Sequence, residues 1–275
     1  MSALISIARR RLGSWAFNGI AGAVLGFILL PLVFVTWLAF FRQAIPSFPP
    51  EGYSLKWFFA IGDNKKFVEG FLLSMQVAVA AMLIGLAIGV PGALCLARYR
   101  FWGREGLSSL LLLPLVVPGI VLGTSLYVFH VEAEIVTGLP VLGSVAAMVA
   151  GHILIVIPWC VRMVTASLAG FDRGIEEAAQ SLGATPLTTF FRITLPVIRP
   201  GIVAAALFGF VVSFGNLEMS LFLVGPGRTT LPIAILQYLE WRIDPTIAAV
   251  SVLQILLIGA AMVATDRFVR ISRVV

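Results

Sequence analysis

Ionisable side chains are scarce in this chain of 275 residues, and those that stand among apolar neighbours decide what chemistry it can do. Glu218 is the sharpest case, lying in Ser213-Phe214-Gly215-Asn216-Leu217-Glu218-Met219-Ser220 between long apolar runs. A carboxylate in such a run is costly in lipid and by default faces protein or a water-filled cavity. Glu218 could therefore line a path and attract a cation, with Asn216 and Ser220 as hydrogen-bonding neighbours. The other reading is an ion pair or hydrogen bond with an adjacent helix. His130 and His152 share no Ser-His-Asp or metal-ligand spacing, so neither a catalytic residue nor a metal site is expected. Cys95 and Cys160 both fall in apolar runs, with no disulfide framework or metal spacing, and read as packing residues. The chemistry on offer is recognition and passage, with no bond made or broken and no cofactor.

The second informative stretch is residues 176–201, charged and capped where most of the chain is not. Asp172 is a candidate N-cap, and Glu176 and Glu177 complement the positive end of the helix that follows. Ala178, Ala179 and Gln180 continue that helix, and Gly183 supplies a left-handed terminus that most side chains resist. Thr185 caps a second helix with Pro186 at its first position, where a missing N–H does no harm. Leu187, Phe190, Phe191 and Thr194 share a face at helical spacing, and Leu195-Pro196 is expected to end the run. Two short helices meeting at a glycine corner suit a part that another protein grips. Small Ala178 and Ala179 would allow close approach, while Glu176, Glu177 and Arg192 would set orientation. The bland reading is a loop lying along the membrane surface.

The elements that must position these residues follow from composition. The chain is 60% hydrophobic and 12% charged, with a mean hydropathy of +1.03, far from the roughly 25% charged of soluble domains. It is an integral membrane protein. A helix needs roughly 20 apolar residues to cross the hydrocarbon layer, and six runs qualify: Phe17 to Phe41, Phe71 to Ala97, Leu107 to Phe129, Val145 to Val164, Ile202 to Val224 and Ile247 to Thr265. The first exceeds a secretory signal's apolar region of roughly 7 to 15 residues and reads as a retained anchor. Thirteen of the nineteen Lys and Arg residues fall on the side that holds residues 165–200, which makes that side and both termini cytoplasmic. The net charge of +6 then reports topology and contact with anionic lipid, not nucleic-acid binding, because the arginines are dispersed. No solenoid repeat or low-complexity linker divides the chain, which reads as one membrane domain.

Glu177-Ala178-Ala179, three residues, Gly183, nine residues, then Ile193-Thr194-Leu195-Pro196 resembles without a gap the E-A-A-x3-G-x9-I-x-L-P signature of permease subunits of bacterial binding-protein-dependent ABC importers. Ala97-Arg98-Tyr99-Arg100-Phe101, Ser167-Leu168-Ala169-Gly170-Phe171-Asp172 and Asp244-Pro245-Thr246-Ile247-Ala248-Ala249-Val250 are similar to segments of its spermidine/putrescine group. The likeness covers about residues 55 to 265. It implies an all-α type I importer permease of the bacterial inner membrane: residues 1–66 are an N-terminal segment with the first span and external loop, and 67–270 are the permease core with a coupling loop at 171–200. It also implies partners: a cytoplasmic ATPase dimer that grips Glu176, Glu177, Ala178, Ala179, Gly183, Thr185, Pro186, Phe190 and Arg192, a second and paralogous permease, a periplasmic binding protein, and surrounding lipid. The family's functional positions are Glu177 and Gly183. The expected solute is polyamine-like or another small, cationic or amine-bearing compound. One departure bears on this: polyamine-type members often carry an acidic pair after Ser-Phe, where this chain has Gly215 and Asn216.

The chain holds no G-x-x-x-x-G-K-[ST], and its three lysines, Lys56, Lys65 and Lys66, all lie in the first external loop, so energy for active transport must come from another polypeptide. The competing class is a secondary transporter driven by an ion gradient, which would show internal repeats and discontinuous helices; neither is visible in the sequence. An enzyme would need clustered intramembrane His, Asp or Glu, and a channel a filter-like segment.

Overall fold

The computed structural model describes residues 2–269, with side chains for Trp15 and for 17–267. Arg9, Arg10, Arg11, Arg270 and Arg273, which entered the charge count, lie outside the described side chains. Twelve α-helices are described: α1 (Ser2–Leu38), α2 (Lys56–Asp63), α3 (Lys65–Arg98), α4 (Arg104–Leu112), α5 (Gly119–Thr137), α6 (Val145–Ala169), α7 (Gly174–Ser181), α8 (Pro186–Thr189), α9 (Leu195–Phe214), α10 (Leu217–Leu223), α11 (Leu231–Trp241) and α12 (Thr246–Val269). Among the described residues, six segments are long and apolar enough to cross a membrane: Phe17–Leu38, Lys65–Arg98, Gly119–Thr137, Val145–Ala169, Pro186–Phe214 and Thr246–Arg267.

The chain divides into two compact units. The smaller comprises residues 1–63 and 241–255. In it Ala39, Ala248, Ala249 and Val252 are buried among Val35, Leu38, Trp57, Phe58 and Ile61. Trp57 is half-buried and donates its indole N–H to the Phe41 carbonyl at 2.7 Å, which satisfies its polar end.

The larger unit comprises 64–240 and 256–275, and its centre is the packing of α3, α6 and α9. Lipid tails are as apolar as leucine, so helices associate there through close packing of small residues. Gly85 and Gly89, one turn apart on α3, receive Val156 and Cys160, also one turn apart on α6; added Cβ atoms would stand 2.6 and 2.7 Å from them. Gly209 of α9 meets the same Val156 methyl, Cγ1, and Gly201 lies against the Met163 carbonyl and the Ser167 side chain. Around these notches Ala93, Cys160, Val164, Ile198 and Ala205 form one buried cluster, and Val77, Met148, Ile155, Met219 and Leu223 another. The opposite end of α3 is pinned by Ser74, whose hydroxyl accepts from the Leu231 N–H at 2.9 Å.

Two expected spans are broken. The third is not continuous from Leu107 to Phe129: α4 ends at Leu112, a 3₁₀ turn covers Leu113–Leu115, and α5 starts only at Gly119. Pro114 and Pro118 explain the break, since each lacks an N–H and Pro118 drives its predecessor out of the helical region. The fifth run, expected from Ile202 to Val224, stops at Phe214 and restarts as α10 at Leu217. It reaches further in the other direction, because Leu195-Pro196 does not end the loop helix. Pro196 sits in the first turn of α9, where no N–H is needed. A π-helical turn over Phe190–Thr194 joins α8 to α9, with the Leu195 N–H bonded to the Phe190 carbonyl. The connection between α10 and α12 contains a further helix, α11.

Candidate functional site

The elbow between α6 and α9 has the corner that its sequence predicts. Gly183 has φ +92°, the Ala184 N–H bonds the Ala179 carbonyl at 3.0 Å, and the Gly183 N–H bonds the Gln180 carbonyl at 2.9 Å. That is a complete Schellman closure. Thr185 caps α8 by accepting from the Thr188 N–H at 3.2 Å, and Pro186 takes the first helical position. The start of α7 differs by one residue: Arg173 occupies the N-cap position, and Asp172 acts from outside by accepting from the Gly174 N–H at 2.8 Å.

The two adjacent glutamates face opposite ways. Glu177 is exposed and lies 3.4 Å from Arg173, one turn back on the same surface. Glu176 is 6% exposed; its Oε1 accepts from Arg98 Nη2 and from the Thr194 hydroxyl. Arg98 Nη2 also lies 3.1 Å from Thr194 Oγ1. The side chain expected to orient a partner is thus engaged inside the chain, tying the end of α3, the start of α7 and the start of α9 together. Arg98 entered the sequence reading as a topological charge and within the Ala97-Arg98-Tyr99-Arg100-Phe101 segment, with no contact assigned to it. The signal that could have found it is the adjacent Glu176-Glu177 pair, of which only one fits an exposed helix face.

Leu187, Phe190, Phe191 and Thr194 do not share a face. The π-helical turn adds a residue to the repeat, so Thr194 is buried while Leu187 and Phe191 are exposed. Phe190 is half-buried, edge-on to Phe191 at 5.1 Å. Ala178 and Arg192 are exposed, and Ala179 is half-buried. What the elbow presents outward is apolar: Leu182 is 90% and Leu187 70% exposed, on either side of Gly183.

The second group lies where the broken helices meet. Asn216 is the N-cap of α10, its side chain accepting from the Met219 N–H at 2.8 Å. Ser220 is buried and donates to the Asn216 carbonyl at 2.7 Å. His152 of α6 spans the break, with Nδ1 2.8 Å from Ser213 Oγ and Nε2 3.4 Å from Ser220 Oγ. Because the Ser220 proton is used on Asn216, Ser220 can only accept from the imidazole. The network therefore assigns the proton to Nε2 and leaves Nδ1 to accept from Ser213. Of the three candidate path residues, Asn216 and Ser220 are committed to holding the break. Glu218 is exposed, and its carboxylate rests over the first residue of α5: a Cβ on Gly119 would stand 1.7 Å from Glu218 Oε2. Pro118 offers α5 no side-chain cap, and the positive end of the helix dipole favours a carboxylate there.

Six described helices long and apolar enough to cross a membrane, two broken spans and a structured elbow between α6 and α9 make this a polytopic helical membrane protein. The chain belongs to the family of binding-protein-dependent transport system inner membrane components, whose profile matches residues 81–273. It is similar to the putrescine transport system permease PotI of Escherichia coli K12, 32% identical over 203 residues, 74% of this chain and 72% of that protein. It is 26% identical to the spermidine/putrescine permease PotC of the same organism, over 92% and 93% of the two chains. A molybdenum transport permease, ModB of Mycobacterium bovis, is 33% identical over 75% of this chain and 80% of its own. Among solved structures, a MetNI methionine ABC transporter chain matches with TM-score 0.62 at 23% identity, covering 76% of this chain and 96% of that one. A chain of an alginate ABC importer matches with TM-score 0.69 at 13% identity, covering 94% and 96%. These two show the fold.

The chain is therefore a multi-pass inner-membrane permease subunit of an ATP-driven importer, and hydrolysis belongs to a separate ATPase subunit. Discontinuous helices, the feature that was to mark a secondary transporter, are present after all and do not separate the two classes. Membership of the family does.

Proposed function

We propose that this subunit imports a small cationic or amine-bearing solute and is driven through its 171–200 elbow by a cytoplasmic ATPase dimer. Residues 67–270 form the permease core, both termini face the cytoplasm, and a paralogous permease completes the path to which a periplasmic binding protein delivers solute. The observation that carries the docking reading is the pair of leucines, Leu182 and Leu187, held out on either side of a rigid glycine corner. Apolar side chains fixed at the tip of a polar loop suit a cleft on a partner. Ala178, Glu177 and Arg192 would supply the small and charged surface around them.

The test uses the complex assembled from both permeases and the ATPase. Leu182→Asp is expected to reduce the ATPase recovered with the membrane subunits by about tenfold, as loss of a buried apolar anchor does in other interfaces. Gly183→Val is expected to do the same by straining the left-handed corner by roughly 1 kcal/mol or more. Wild-type recovery in both variants would reject docking at this elbow.

The cationic assignment rests on Glu218 at the helix break, together with the putrescine and spermidine/putrescine permeases among the relatives. The molybdenum permease relative marks the competing outcome, an anionic solute. In vesicles with the binding protein, putrescine uptake should be observed and Glu218→Gln should slow it by roughly tenfold, the scale expected when an intramembrane charge contact is lost. Uptake of an anion, unchanged by Glu218→Gln, would overturn the assignment.

A further inference from the structure

Resting on the docking reading, we propose that Arg98, Glu176 and Thr194 form a relay that passes movement of the elbow to two membrane helices at once. None of the three is offered as a contact to the ATPase; they are positioning residues whose partners are one another.

The first reason is location. Arg98 is the last residue of α3, Glu176 lies in the first turn of α7, and Thr194 is the residue before α9. The contacts bridge separations of 78, 96 and 18 residues, so the node joins parts of the chain that the backbone connects only through long detours. Along the backbone, a push on α7 reaches α9 through the Gly183 corner and α3 only by way of α6, α5 and α4. The charged node bypasses both.

The second reason is burial. Thr194 is 0% exposed and Glu176 close to it, while Arg98 is half-buried. A buried carboxylate whose partner is removed is left as an uncompensated charge, so such a pair resists being pulled apart and moves as a unit. The outward-facing Glu177, by contrast, makes only a solvent-exposed ion pair, which holds little. The doublet thus divides its work, with Glu177 on the surface a partner would see and Glu176 gripping the transmembrane framework.

The third reason is what lies beyond Arg98. Arg104, the first residue of α4, donates its Nε–H to the Leu96 carbonyl at 2.8 Å, fastening α4 to the same end of α3. From α4 the chain runs through the Pro114 to Pro118 break into α5, whose first residue underlies Glu218. Displacement of the α3 terminus is therefore transmitted toward the helix break as well as to α9.

The experiment is a double-mutant cycle on the reconstituted importer, reading ATPase recovery and the number of solute molecules imported per ATP hydrolysed. Arg98→Gln and Glu176→Gln should each retain ATPase recovery while lowering the solute-to-ATP ratio by about tenfold. The double variant should fall no further, because both changes remove one shared interaction. Thr194→Val, which keeps the ion pair and removes the two hydrogen bonds of the hydroxyl, should lower the ratio less, by about threefold, within the scale of net hydrogen-bond contributions. Additive losses in the double variant, or a wild-type ratio in all variants, would overturn the relay. Loss of ATPase recovery in Glu176→Gln would also overturn it, by making Glu176 a docking contact. Failure of docking itself is recognised separately, by Leu182→Asp leaving ATPase recovery intact.

Discussion

Gly119 and Glu218 show how a single residue's size sets the chemistry available at a helix break. The carboxylate occupies the space a Cβ would take, and the colliding atom is the far end of a flexible side chain. Gly119→Ala should therefore cost little stability, under about 1 kcal/mol, because Glu218 can rotate away. It should nevertheless lower uptake nearly as far as Glu218→Gln, since the carboxylate then leaves the amino end of α5. Unchanged Tm with reduced uptake is the expected pair of results; wild-type uptake would show that the position of the carboxylate is immaterial. Glu218 itself was legible in the sequence, because a lone acid in an apolar run has few explanations. Its seat on Gly119 was not, since that contact pairs residues 119 and 218 across a break that an apolar run conceals.

At the scale of elements, helix propensity and hydropathy located every span but misjudged where helices stop. Pro114 and Pro118 broke a run that length alone made continuous, whereas Pro196 broke nothing, because a π-helical turn places it in the first turn of α9. Position within a run does not decide proline's effect, since Pro91, Pro158 and Pro200 lie inside α3, α6 and α9 without ending them; whether the lost N–H and the ring are accommodated is set by the surrounding geometry. The glycine corner, by contrast, was fully legible: Gly183, Thr185 and Pro186 act through local backbone geometry that neighbouring residues fix. Packing between elements gives a further prediction. Gly201 of α9 lies so close to α6 that a Cβ would stand 2.6 Å from the Met163 carbonyl, a backbone atom that cannot rotate away. Gly201→Ala should cost about 1 to 3 kcal/mol, seen as a lower unfolding temperature in detergent, and a larger penalty than Gly119→Ala. Equal penalties would contradict the close packing of α6 and α9.

For the whole molecule, the division of labour follows from the family to which the chain belongs. It carries no phosphate-cradling loop in its full sequence, and its family places hydrolysis in another subunit. On the proposed docking, the exposed leucines, the left-handed corner and the inward Glu176 would work as one device: a surface for the ATPase to grip, a bend that presents it, and an anchor that ties it to α3 and α9. A density map of the assembled importer, with the ATPase bound, tests this most directly. It should show Leu182 and Leu187 enclosed by the ATPase and the Gly183 corner well ordered between them. A map in which the ATPase is seated elsewhere, with both leucines in solvent, would contradict it.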